Sequence, residues 1–198
     1  MKTAGRFAVI AFVALAFVPC ASVLGVNIVT NGGFETGNFA GWTQSGNTGF
    51  TSVNTTAAHS GTYGASFAPV GSLGFISQNL VTVPGATYAL SFFLNDAFPS
   101  APANFIATFG GTTVFSSTGT NSGFQMYSFN LVATTALTTL QFGFRHDRPA
   151  WYFDDVSVQF VSGPPVPETG STLAILGIAL VGIEGLRRKL AVGSEQLP

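Results

Sequence analysis

Ionisable side chains are scarce in the middle of this chain, and the few present limit the chemistry open to it. Between Val26 and Pro165 there are two arginines, Arg145 and Arg148, against five carboxylates, Glu35, Asp96, Asp147, Asp154 and Asp155, a net charge of −3, and no lysine. Glycosidic hydrolysis needs two carboxyl groups facing one another across the bond. Asp154 and Asp155 do not read as such a pair, because neighbouring strand residues point to opposite faces. The segment holds His59 and His146 but neither a Gly-x-Ser-x-Gly elbow nor a His-Glu-x-x-His helix. His59, in a His-Ser-Gly turn, reads as a turn residue rather than a base. The sequence thus argues against an enzyme. A basic face able to displace counterions is missing too, which excludes nucleic acid as a partner. Cys20 is the only cysteine, so the chain beyond it holds no disulfide, zinc cluster or thiol nucleophile.

Non-covalent recognition remains. The C–H face of a sugar ring packs on an aromatic plane while nearby polar groups fix its hydroxyls. The candidates for such a site are Trp151, Arg145, Asp96 and Trp42. Trp151 follows the polar cluster Arg145-His146-Asp147-Arg148, and Asn95-Asp96 with Phe98 lie in the longest expected loop, a rim. Two plain readings stand beside these: Trp42 as a core residue, and the Arg145–Arg148 cluster as loop ion pairs worth under about 1 kcal/mol. In the last expected strand Tyr152, Asp154, Val156, Val158 and Phe160 share one parity, while Trp151, Phe153 and Asp155 share the other. The first set is mostly apolar, so Asp154 is expected to face inward, where an unpaired carboxylate is costly.

The elements that must position these residues are strands. Twenty Phe and 24 Gly in 198 residues, with abundant Thr and Ser and 8% charged residues, read as an all-β chain of short strands and small-residue turns. Strands are expected at Val26–Thr30, Gly49–Asn54, Thr62–Val70, Gly74–Val83, Thr87–Leu94, Asn104–Phe109, Thr112–Ser117, Phe124–Ala133, Leu137–His146 and Trp151–Phe160. Pro84-Gly85 has the residues of a type II turn, and Gly110-Gly111 those of a hairpin. Alternation assigns one buried face to Tyr88, Leu90, Phe92 and Leu94, another to Tyr127, Phe129 and Leu131, and a third to Leu140, Phe142 and Phe144. The pattern predicts an antiparallel β-sandwich over residues 26–163.

Three motifs in order carry a resemblance across residues 26–160. Asn31-Gly32-Gly33-Phe34-Glu35-Thr36-Gly37 with Gly41-Trp42, then His59-Ser60-Gly61-Thr62-Tyr63-Gly64-Ala65, and finally Phe153-Asp154-Asp155-Val156-Ser157-Val158 resemble the galactose-binding-like jelly roll of family 4, 9 and 22 carbohydrate-binding modules. The resemblance implies a non-catalytic, carbohydrate-binding sandwich with extracellular polysaccharide as a partner. It also implies one structural calcium ion, shared by Glu35 and Asp154 and completed by carbonyls of the Gly33 and Ser60-Gly61 turns. The plain alternative is that backbone N–H groups and water satisfy both carboxylates.

The two ends read as targeting segments. Residues 1–25 have the form of a signal peptide: Lys2 and Arg6, an apolar run from Phe7 to Val18, then small residues. At the other end Val166, Pro167, Glu168, Thr169 and Gly170 precede an apolar helix expected over residues 171–186, closed by the basic cluster Arg187, Arg188 and Lys189. That span is short against the ~20 residues a bilayer asks for, and residues 191–198 are left as a short cytoplasmic tail. Residues 164–190 resemble the PEP-CTERM sorting domain of the VPDSG/VPEGGST type. The resemblance implies an exosortase-like membrane enzyme as partner, after the Sec translocon and signal peptidase. The protein would be membrane-anchored before processing and at the cell surface or secreted afterwards. Thr169 stands where the commonest form has a second Pro, and the pentapeptide is also similar to the LPxTG signal of sortases. Two readings follow: an exported binding protein, or a matrix protein of the same fold without a specific ligand.

Overall fold

The computed structural model describes residues 25–96, 102–119, 122–147, 150–165 and 182–184, together with Arg187. Alternating burial along the strands builds two five-stranded antiparallel sheets. The back sheet runs, in spatial order, β1 (Thr43–Gly46), β4 (Gly74–Val81), β9 (Leu137–His146), β6 (Ala103–Phe109) and β7 (Thr112–Ser117). The front sheet runs β2 (Thr51–Asn54), β3 (Gly64–Phe67), β10 (Trp151–Ser162), β5 (Thr87–Asp96) and β8 (Gln125–Val132). The expected sandwich is therefore present, and β7 and β9 have the expected bounds.

Aromatic rings fill the space between the sheets. Phe67 of the front sheet stacks on Phe144 of the back sheet, with centroids 3.8 Å apart and planes 4° apart. Phe92 touches Phe105, Phe142 and Phe153 at 5.4–5.5 Å. Burying a ring of this size removes enough apolar surface to contribute about 2–3 kcal/mol. Tyr88, Leu90, Phe92, Leu94, Leu140, Phe142 and Phe144 are buried, as alternation required.

Turn chemistry fits the connections. Gly85 has φ +81°, and Ala86 N donates to Val83 O at 3.0 Å, closing the Pro84-Gly85 turn. Gly110 and Gly111 both have positive φ, which a two-residue hairpin of type I′ requires.

The structure departs from expectation at three places. The first strand, Val26–Thr30, is reduced to one bridge between Asn27 and Gln159. The Asn27 side chain replaces ladder bonds: it accepts from Val158 N and Val29 N and donates to Val156 O. An unexpected short strand, β1, forms after Trp42. The third departure lies in β10, where the pairing with β5 shifts register between Asp154 and Ser157, and Asp155 adopts φ +53°. One extra residue there resets the alternation. Trp151 and Phe153 face the core on one side of this bulge, and Val156 and Val158 face it on the other.

Residues 1–24 of the expected signal peptide, the Val166–Gly170 motif, Arg188, Lys189 and residues 191–198 lie outside the described residues. Of the expected apolar span, Gly182–Glu184 are helical, and Arg187 lies 3.7 Å from Glu184 in an exposed pair. No helix among the described residues is long and apolar enough to cross a membrane.

Candidate functional site

The β10 bulge decides where the acidic residues go. Asp154 pairs directly with Phe93, whose side chain lies on the outer face of the front sheet between the buried Phe92 and Leu94. Asp154 is therefore on the outer side, contrary to the inward position expected from simple alternation. It is nonetheless fully covered, because the 59–63 segment lies over it. Its Oδ2 accepts from His59 N at 2.7 Å and Ser60 N at 3.2 Å, and its Oδ1 from Asp155 N at 2.8 Å. Burial raises its pKa from 3.8 to about 6, although those amide donors oppose the rise.

Asp155, at the bulge, emerges on the same side. Its Oδ1 accepts from Ser60 Oγ at 2.7 Å, and its Oδ2 lies 2.7 Å from His59 Nδ1. Two acids adjacent in sequence thus hold one segment, which alternation had ruled out. They still form no hydrolytic pair: amides seal Asp154, and Asp155 is bound to His59 and Ser60. Glu35 holds the far end of the segment, accepting from Thr62 N and Tyr63 N at 2.9–3.0 Å. The Asn31–Gly37 turn that presents Glu35 is fixed by Asn31, whose side chain bonds Asn38 O, Ala40 O and Thr36 N.

These three carboxylates place His59 on the front face. Its ring stacks on Phe93 with centroids 3.6 Å apart, and Phe124 meets it edge-on at 5.1 Å. The His59 side chain is 31% exposed and that of Asp155 28%. Pairing across the sheet then gives a polar row, Ser52–Ser66–Tyr152–Asn95, and beside it a row of Phe93 and Met126. Aromatic planes next to hydroxyl and amide groups on a half-exposed sheet are what a sugar ring needs: C–H contact with a ring, and hydrogen bonds to its hydroxyls.

The four residues expected from sequence do not meet on this face. Trp151 is 2% exposed and donates from Nε1 to Arg145 O; the bulge places it in the core instead of beside Asp155. Trp42 is also core, stacked on Phe34 at 5.9 Å, which settles its two readings. Asp96 is not in a rim. It ends β5, fully buried against His146, with Nε2···Oδ1 at 2.9 Å. Arg145 forks onto Asp147 at 3.1 and 2.7 Å and holds its carboxyl down to about 2. Sequence reasoning missed Phe93, Tyr152, Phe124 and His59. One signal was available: Phe93 is the lone aromatic in the parity Thr87, Ala89, Ser91, Phe93, Asn95.

A cavity of about 240 Å³ lies elsewhere, between β7 and β8, lined by Phe109, Val114 and Leu131 with Asn130. It lacks an exposed aromatic plane and a charged group.

For the calcium ion implied by the resemblance, the donor set fits only in part. A β-carbon on Gly33 would sit 3.7 Å from Asp155 Oδ1, 3.7 Å from Glu35 Cγ and 4.0 Å from Asp154 Oδ1, so three acidic side chains border one cradle. Among the described residues, no group of three or more His, Cys, Asp or Glu is placed to hold a metal ion. Glu35 and Asp154 would supply hard oxygens, and main-chain carbonyls would have to supply the rest.

A family model described as a carbohydrate binding domain matches residues 26–165. No curated protein sequence matches significantly. Among solved structures, the CBM22-1 xylan-binding domain of Paenibacillus barcinonensis Xyn10C is 18% identical, with a TM-score of 0.55 over 72% of this chain and 97% of that one. The C-terminal family 22 carbohydrate binding module of Clostridium thermocellum Xyn10B is 16% identical, with a TM-score of 0.52 over 75% and 100%. TmCBM61, solved in complex with β-1,4-galactotriose, is 20% identical, with a TM-score of 0.53 over 68% and 99%. These likenesses show a shared jelly-roll-like sandwich.

Proposed function

This chain belongs to the carbohydrate binding domain family, and we propose that it recognises a neutral glycan on the outer face of its front sheet. The observation that carries this reading is the His59–Phe93–Phe124 aromatic cluster, clamped by Asp154, Asp155 and Glu35 beside the Tyr152–Asn95 row. The net charge of −3 over residues 26–165, with no lysine, repels polyuronates and sulfated chains. Uncharged β-1,4-linked polymers are the first to test, since one structural neighbour is a xylan-binding domain and another was solved with β-1,4-galactotriose. The protein works by binding alone, as the family and the sealed carboxylates support.

The test is affinity electrophoresis of the purified protein through xylan, β-1,4-galactan and alginate. Retardation by a neutral polymer, reduced about tenfold in Tyr152→Ala or Phe124→Ala with an unchanged melting temperature, supports the reading; one stacking contact of ~1–1.5 kcal/mol has that effect. Retardation unaffected by both variants refutes this face, and alginate binding refutes the neutral class.

The reading extends to the tail. Val166–Gly170, the apolar span and Arg187–Lys189 act as a sorting signal for an exosortase-like enzyme, delivering the domain to the cell surface or its surroundings. The motif's abutment on the apolar span supports this over a sortase signal. Intact mass of the mature protein from its host tests it: a carboxy terminus upstream of residue 171 is expected, and one beyond Arg188 means plain anchoring. Calcium belongs to the same proposal, held by Glu35 and Asp154 and stiffening the 59–63 segment.

A further inference from the structure

The four edge strands of the sandwich are not equally protected. A free edge invites pairing with another strand, and proteins blunt it by shortness, charge, proline or a bulge. β1 and β2 are four residues each. β7 pairs with β6 through a register shift between Ala107 and Thr108. β8 has none of these devices: it is eight residues long, Gln-Met-Tyr-Ser-Phe-Asn-Leu-Val, uncharged, without proline, and in unbroken register with β5. Among the described residues, β5 is the only strand that pairs with it.

Its outward side chains also complement one another. Met126 is 62% exposed and Val132 57%, with Ser128 and Asn130 exposed between them. An antiparallel copy must keep outer residues opposite outer residues, because a one-residue slip exchanges the faces. Centring the pairing on Phe129 meets that condition and uses the strand from Met126 to Val132. Met126 then lies opposite Val132 of the second copy, and Ser128 opposite Asn130. Exposed apolar groups meet apolar groups, polar meet polar, and no like charges oppose.

We infer that β8 is a self-association edge, through which two copies of this chain pair antiparallel into a continuous ten-stranded sheet. The two-fold axis of such a pairing is perpendicular to the sheet, so both outer faces point the same way. If the glycan reading above holds, the dimer presents two sugar-binding faces to one polymer, and avidity follows without any new contact. The pairing itself does not depend on that reading.

The test co-purifies two differently tagged full-length copies in a mild non-ionic detergent. Wild-type copies are expected to recover one another. With Ser128→Lys and Asn130→Lys in both copies, lysines lie directly opposite lysines, and recovery falls about tenfold. Mixing that variant with a copy carrying Ser128→Glu and Asn130→Glu restores it, because each lysine then faces a glutamate. All four substitutions are at exposed positions, so circular dichroism and melting of each variant stay as in wild type. Recovery that the lysine pair leaves unchanged overturns the inference, as does loss that the glutamate copy fails to rescue, or wild-type copies that do not recover one another.

Discussion

Asp154 makes the domain's stability depend on pH in a direction opposite to that of most carboxylates. The perturbation is a change from pH 7.5 to pH 5.0 in chelator. Burial beneath the 59–63 segment raises the folded pKa from 3.8 to about 6. A group whose folded pKa is raised contributes stability that is fully present below the unfolded value and is lost as pH rises through about 6. At pH 5.0 most folded molecules carry the proton and few unfolded ones do, which is worth ~1.4 kcal/mol relative to pH 7.5. To one significant figure the difference is about 1 kcal/mol. For a domain of this size that is a rise of roughly 3–5 °C in melting temperature. Asp147 does not compete: its pKa is lowered to about 2, so its contribution, present above 3.8, is lost only at more acid pH. The assay is differential scanning calorimetry of wild type and Asp154→Asn at both pH values. The variant lacks the Asp154 carboxyl, so the wild-type rise should exceed that of the variant by the stated amount. Equal rises, or a larger one in Asp154→Asn, would refute the reasoning.

Two further predictions follow from the same geometry. Millimolar calcium should stabilise the fold relative to chelator by about 2–3 kcal/mol if the ion is present at 100 times its dissociation constant, which raises the melting temperature. The increment should be smaller at pH 5.0, where Asp154 is protonated, and absent in Glu35→Gln; identical melting with calcium and chelator at pH 7.5 sinks the ion. Trp151→Ala should destabilise the fold by ~3–5 kcal/mol through cavity formation and the loss of its bond to Arg145 O, measured by urea denaturation. The remaining folded molecules should bind glycan as wild type does; a stable variant with lost binding would return Trp151 to the site.

Much of the sandwich was legible because its strands obey a two-residue period. Tyr88 to Leu94 and Leu140 to Phe144 face the core as alternation demands. Pro84-Gly85 and Gly110-Gly111 turn where residue type requires. The candidate site was less legible, because it depends on departures from period. Asp155 at φ +53° is a conformation that L-residues seldom adopt, and nothing in Asp-Asp-Val announces it. One such residue moved Trp151 from surface to core and Asp154 from the inner to the outer side. Asn27 likewise broke an expected strand, since its side chain bonds the ladder groups that a neighbouring backbone would otherwise take. His59 reads as a turn residue in sequence, and its stacking on Phe93 comes from contacts 34 positions apart that no local pattern encodes.

The bulge also explains why so few charges suffice. In regular alternation Asp154 and Asp155 would serve opposite faces, and the 59–63 segment would have one anchor at its His59 end. With one residue inserted, both carboxylates reach it: Asp154 through the amides of His59 and Ser60, Asp155 through their side chains. Glu35 fixes the other end through the amides of Thr62 and Tyr63. Three of the five carboxylates between Val26 and Pro165 are therefore spent on holding one five-residue segment, and the imidazole it carries, against Phe93. Core stability alone gives no reason for that concentration, since the aromatic interior is complete beneath it. Positioning a surface ring does, because loosening any of the three anchors would blur the aromatic plane that a sugar must meet.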